Sequence, residues 1–125
     1  MLYIEENIIY LTKGDDGAID MQAITDAQGN AYEMQEGDVL TLTVREESGA
    51  ESPVIFQTAS VPGSGRMLIR GADTAQAEPG RYSADIQLTT ADGLRFTVWP
   101  QLEGSKRYRS GNFKNFVIMP EVTTK

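Results

Sequence analysis

From Val39 to Arg45 the sequence alternates without a break, with Leu40, Leu42 and Val44 apolar and Thr41, Thr43 and Arg45 polar. Side chains on an extended chain point to opposite faces with a period of two, so this run predicts a strand with one face buried. The same pattern recurs along most of the chain. Ile9 and Leu11 share one face in residues 7–13, with Ile8 and Tyr10 on the other, and Ile19, Met21 and Ala23 alternate with Asp20 and Gln22. Further strands are predicted at residues 31–34, at 53–60 near a sheet edge, at 67–69 and at 116–122. Gly14-Asp15-Asp16-Gly17, Ala27-Gln28-Gly29-Asn30, Gly37-Asp38 and residues 61–65 punctuate these runs as turns and loops.

Burial decides one register. Tyr82, Ala84, Ile86 and Leu88 share a face, as do Leu94, Phe96 and Val98 in the next run. A two-residue Asp92-Gly93 turn would set Phe96 against Thr89, on the wrong side. A three-residue loop, Ala91-Asp92-Gly93, sets Leu88 opposite Phe96 and Ile86 opposite Val98, with Gly93 left-handed. The one helix predicted is a single turn at residues 72–78, with Asp73 as its N-cap and Pro79-Gly80 as its stop.

Frequent turns, sequential strands and almost no helix predict an all-β domain. The expectation is an immunoglobulin-like antiparallel β-sandwich of about seven to nine strands, ranked above a small barrel. The 125 residues suit one domain spanning 1–125, large enough to fold without a metal or a disulfide.

Composition narrows the chemistry. The sequence has no cysteine and no histidine, which removes thiolate sites, a cysteine nucleophile, the usual general base and the commonest zinc ligand. A net charge of −7 argues against generic nucleic-acid binding, whose affinity rests on Lys and Arg neutralising phosphates. No apolar run approaches the ~20 residues of a membrane helix. Glu5 and Glu6 stand where a signal peptide carries positive charge. Cytoplasmic synthesis is expected, with export only as part of a larger assembly.

Asp15, Asp16 and Asp20 are the obvious acids for a catalytic pair or a calcium site, but they sit in or beside a turn, where Asp serves turn geometry. The glycines of residues 14–17 and 63–65 form no phosphate-binding pattern, and Ser60, Ser64 and Ser105 have no histidine partner. No catalytic, cofactor-binding or metal-ligating residue is assigned, and an enzyme is not expected. Trp99, at the end of an alternating run, is read as packing before a sugar platform.

One segment contrasts with the acidic remainder. Between residues 103 and 116, Lys106, Arg107, Arg109 and Lys114 face a single acid, Glu103, with Tyr108, Phe113 and Phe116 interleaved. Arg and aromatic residues are enriched in interface hot spots. Lys106, Arg107, Tyr108, Arg109, Phe113 and Lys114 are therefore the candidate partner-binding residues, and a solvated loop anchored by its phenylalanines is the plainer alternative.

Three stretches carry a resemblance: Leu11-Thr12-Lys13-Gly14-Asp15, Glu36-Gly37-Asp38-Val39-Leu40-Thr41-Leu42 and Pro79-Gly80-Arg81-Tyr82-Ser83-Ala84-Asp85-Ile86. Trp99-Pro100-Gln101-Leu102-Glu103 and Asn115-Phe116-Val117-Ile118-Met119-Pro120-Glu121-Val122-Thr123 add to it. Together they resemble the small β-sandwich domains of phage and prophage tail proteins, including the N-terminal domain of upper baseplate proteins. The resemblance implies a non-enzymatic building block whose partners are other tail or baseplate proteins or copies of itself. It implies a place in the virion after assembly in the bacterial cytoplasm, and it supplies no catalytic residues. Family members often carry a longer C-terminal receptor-binding region; this sequence ends after the sandwich, so host recognition is not carried over. A carbohydrate-binding or adhesion module and, further off, a small carboxylate-dependent hydrolase are the alternatives.

Overall fold

A computed structural model describes residues 1–21, 24–26, 28–47, 49, 51–100 and 114–121. In chain order the strands are β1 (Leu2–Glu5), β2 (Ile8–Thr12), β3 (Gly17–Asp20), β4 (Ile24–Thr25), β5 (Ala31–Tyr32), β6 (Val39–Arg45), β7 (Val54–Ala59) and β8 (Arg66–Ile69). The helical turn α1 (Gly71–Thr74) follows, then β9 (Gly80–Thr89), β10 (Arg95–Trp99) and β11 (Phe116–Met119). The all-β fold with one short helix is the one the alternation predicts.

Seven strands form one sheet in the order β1-β2-β11-β9-β6-β7, with β10 also pairing β9. The pairs β3-β8 and β4-β5 form two small sheets. The large sheet does not lie flat. Phe56 on β7 and Phe116 on β11 meet edge to face with ring centroids 5.7 Å apart, although β6 and β9 lie between their strands. Three strand spacings in a flat sheet would hold them about 14 Å apart. The sheet therefore wraps toward itself, and Ile19, Ile24, Met67 and Ile69 of the small sheets join the same buried cluster.

The alternation is realised where it was clearest. Leu40, Leu42 and Val44 are fully buried, as are Ile9 and Leu11, and Ile86 and Leu88 are almost completely so. Each fully buried Leu or Ile contributes roughly 1.5–3 kcal/mol relative to exposure. Shifting any of these strands by one residue would put its whole set in water.

The structure corrects several expectations. Pairing is antiparallel except that β11 runs parallel to β2, from Phe116 opposite Ile9 to Met119 opposite Thr12. Parallel neighbours need a long crossover, and most of the chain lies between these two strands. The three-residue loop forms, with Phe96 opposite Leu88 and Gly93 at φ 98°, but Ile86 lies opposite Trp99 and not Val98. A bulge between Thr97 and Trp99 absorbs the shift while Val98 remains buried. Leu94, placed on the apolar face by its spacing, is 65% exposed beside the loop.

The helical turn is shorter and starts earlier than its spacing implied. Arg70 occupies the N-cap position, and Asp73 sits at the third helical position, where its carboxylate accepts the Arg70 N–H at 2.9 Å. Asp73 thus closes the turn from inside. The turn is fastened to the 14–17 loop: Gly14 N–H donates to the Thr74 hydroxyl at 3.0 Å, and Gly71 N–H donates to Asp16 at 2.6 Å.

β1 has no counterpart in the sequence reading. It joins β2 through Glu6 and Asn7, both left-handed at φ 53° and 65°, the backbone of a two-residue type I′ hairpin.

Candidate protein-binding surfaces

Of the six residues singled out in the basic-aromatic segment, only Lys114 is positioned by the structure; Lys106, Arg107, Tyr108, Arg109 and Phe113 lie outside the described residues. Lys114 precedes β11 and reaches back to the end of β6. Its Nζ donates to the Glu46 carbonyl at 2.6 Å and pairs with the Glu47 carboxylate at 3.1 Å.

This contact lies in a groove of about 410 Å³ at one end of the sandwich. Glu46 and Glu47 from the end of β6, Glu78 from the turn before β9, and Arg81 and Tyr82 from β9 line it, with Ile55 supplying apolar surface. The Tyr82 hydroxyl donates to the Glu78 carbonyl. Burial pushes the Tyr82 phenol above its usual pKa, and the carboxylates of Glu78 and Glu46 push the same way. Three carboxylates face two cations here. Lys114 is already engaged by the Glu46 carbonyl and the Glu47 carboxylate, so it is not itself a free positive charge in the groove.

The acids considered for catalysis or calcium are drawn to separate partners. Asp16 accepts the Gly71 N–H, and Asp20 faces Arg66 at 3.5 Å. Among the described residues no group of three Asp or Glu side chains is placed to hold a metal ion. Ser60 is buried and holds the start of β6, accepting the Leu40 N–H through its hydroxyl at 2.9 Å. Trp99 is half-buried and packs against the core, as its place in an alternating run implies.

Among the described residues the buried carboxylate is Asp38, which is 1% exposed. It accepts the Tyr32 hydroxyl at 2.6 Å and the Gln35 N–H at 2.9 Å. Burial alone would raise its pKa, but these bonds and one from the Ala91 N–H outweigh it and hold the carboxyl below its usual value. Its partner responds in the opposite sense. Tyr32 is pushed up to about 12, first by the hydrogen bond to Asp38, then by burial and by the charges of Asp38 and Asp92. Asp38 thus ties the turn before β6 both to Tyr32 on β5 and to Ala91 in the loop after β9, which explains Gly37-Asp38 as a structural motif.

The surface without a signal in the periodicity is the β1 edge of the large sheet, which no other strand among the described residues pairs with. Tyr3 and Ile4 on β1 are 39% and 52% exposed, and Tyr3 stacks on Tyr10 of β2 with centroids 4.7 Å apart. The apolar run Leu2-Tyr3-Ile4 ahead of two acids was the available signal. Four residues were too few for periodicity to separate a strand from a disordered terminus. At the opposite edge, the Thr58 hydroxyl of β7 donates to the Leu68 carbonyl of β8 at 2.7 Å, so that edge is partly covered. No helix among the described residues is long and apolar enough to cross a membrane. No family model, no curated protein and no solved structure matches this chain.

Proposed function

We propose that this domain is a non-enzymatic assembly module of the phage-tail or baseplate kind, acting through protein–protein contacts. The observation that carries the reading is the exposed apolar edge strand, Leu2–Glu5, at the end of the seven-stranded sheet. An open edge presents unpaired backbone donors and acceptors, and an added strand satisfies them while covering apolar side chains. The acidic balance keeps the free domain soluble and gives a basic partner surface a long-range attraction. The tail and virion setting rests on the resemblance of the turn and strand motifs described above. Other tail proteins are its partners, with the groove beside Lys114 as a second, polar contact.

The test is complex formation with the products of the genes beside its own, together with antibody labelling of purified particles. A stoichiometric complex seen by light scattering and label on the tail are expected. A chain that binds no tail component and is missing from particles overturns the reading.

A further inference from the structure

We infer that β1 pairs antiparallel with β1 of a second copy of this chain, joining two seven-stranded sheets across a twofold axis at Tyr3. The inference deepens the assembly reading and rests on it. It begins with the direction of the backbone. Thr12 N–H donates to the Met1 carbonyl at 2.9 Å, and the register runs from Leu2 opposite Leu11 to Glu5 opposite Ile8. In an antiparallel pair, hydrogen-bonded and non-bonded positions alternate. Met1, Tyr3 and Glu5 therefore bond inward to β2, and Leu2 and Ile4 turn their N–H and C=O groups outward.

Those four outward groups match themselves. With Tyr3 on the axis, Leu2 of one copy stands opposite Ile4 of the other, and the two residues exchange both hydrogen bonds at each of two positions. The side chains match as well. Tyr3 meets Tyr3, extending the Tyr3–Tyr10 stack into a row of four rings, and half-exposed Ile4 is covered by Leu2. An interface in which one patch serves both partners is the isologous arrangement that closes as a dimer.

Charge selects this register. It sets each Glu5 opposite position 1 of the other copy, so the two Glu5 carboxylates sit four residues apart along the strands, about 14 Å. That exceeds the ~8–10 Å screening length at ordinary ionic strength. Sliding the strands by two, onto an axis at Ile4, would place Glu6 opposite Leu2 and bring the acidic turns together. The net charge of −7 on each copy opposes association as a whole, so added salt tightens the dimer.

The absence of native cysteine makes the test clean. In the Tyr3→Cys variant the two sulfurs meet at a non-bonded position, where cross-strand Cβ atoms lie about 4.5–5.5 Å apart. Oxidation is expected to give disulfide dimer far faster than in Val61→Cys, an exposed control away from the edge. Sedimentation of the unmodified chain up to about 1 mM should show a dimer that tightens with salt and weakens roughly tenfold or more in Ile4→Lys. Equal oxidation rates, or a monomer throughout with and without salt, overturn self-pairing. In that event binding to a tail component separates the two ideas. If Ile4→Lys abolishes it, the edge serves a different protein and the assembly reading stands; if Ile4→Lys binds as the parent does, the edge plays no part in assembly.

Discussion

The side-chain amide of Asn115 pairs with both backbone groups of Ala84: the Ala84 N–H donates to Oδ1 at 2.7 Å, and Nδ2 donates to the Ala84 carbonyl at 2.9 Å. Its own backbone is also used, with Asn115 N–H donating to Tyr82 and its carbonyl accepting from Ile9. One edge of β9 is shared, with β11 pairing as far as Tyr82 and β10 from Ile86 onward. Asn115 fills the gap between them as a surrogate peptide. It is completely buried.

Asn115→Leu leaves two buried backbone groups unpaired and should cost about 2–5 kcal/mol in urea denaturation. Asn115→Asp keeps the acceptor for Ala84 N–H but turns an oxygen toward the Ala84 carbonyl. Burial raises that carboxyl's pKa, so the variant should be most stable below the usual carboxylate pKa and lose stability as pH rises through the raised value. A pH series of denaturation midpoints tests this; an Asp variant indifferent to pH would count against the buried amide bridge.

Asp38 and Tyr32 give two pH limbs of opposite sign. The carboxyl of Asp38 is held below 3.8, so its contribution is present above that value and disappears as pH falls through the folded pKa. The phenol of Tyr32 rises from 10.0 to about 12, so its contribution is complete below pH 10 and is lost as pH climbs toward 12. Tyr32→Phe should cost about 1.5–3 kcal/mol at neutral pH, since the hydrogen bond goes to a charged group. It should also move the acid limb to higher pH and remove this share of the alkaline one, both read from midpoints across pH.

The hairpin Glu6-Asn7 holds two residues with side chains in left-handed backbone. Replacing the pair by Asn-Gly supplies the residues this turn favours and should stabilise the fold by about 1 kcal/mol. Thermal or urea midpoints decide it, and a loss of stability would mean that the turn differs from type I′.

The docking of α1 depends on close backbone approach. A Cβ added at Gly71 would collide with the Gly14 carbonyl oxygen, and the Thr74 hydroxyl is the acceptor for Gly14 N–H. Gly71→Ala and Thr74→Val should each cost about 1–3 kcal/mol. Because both loosen the same contact, the double variant should cost less than the two singles added together.

The class of fold was legible because its signal is local. Leu40, Leu42 and Val44 repeat every two residues, and that spacing alone puts them on one face whatever the strand later meets. The three-residue loop at residues 91–93 was legible for a related reason, since Leu88 and Phe96 share a face in only one of the two registers. The candidate interface was less so. In the sequence Lys114 is one of four cations set against a single nearby acid, yet Glu46 and Glu47, nearly seventy positions away, engage it.

What the sequence determined by itself, then, was the alternation, the turns and the absence of thiol and imidazole chemistry, because each depends on a residue and its near neighbours. Tertiary structure alone decided that β11 runs parallel to β2, that Asn115 bridges the gap beside Ala84, that the buried Asp38 carboxylate is held by the donors of Tyr32, Gln35 and Ala91, and that β1 ends a sheet. Each of these depends on which distant backbone groups lie within about 3 Å of one another, a distance set by how the layers close over their core.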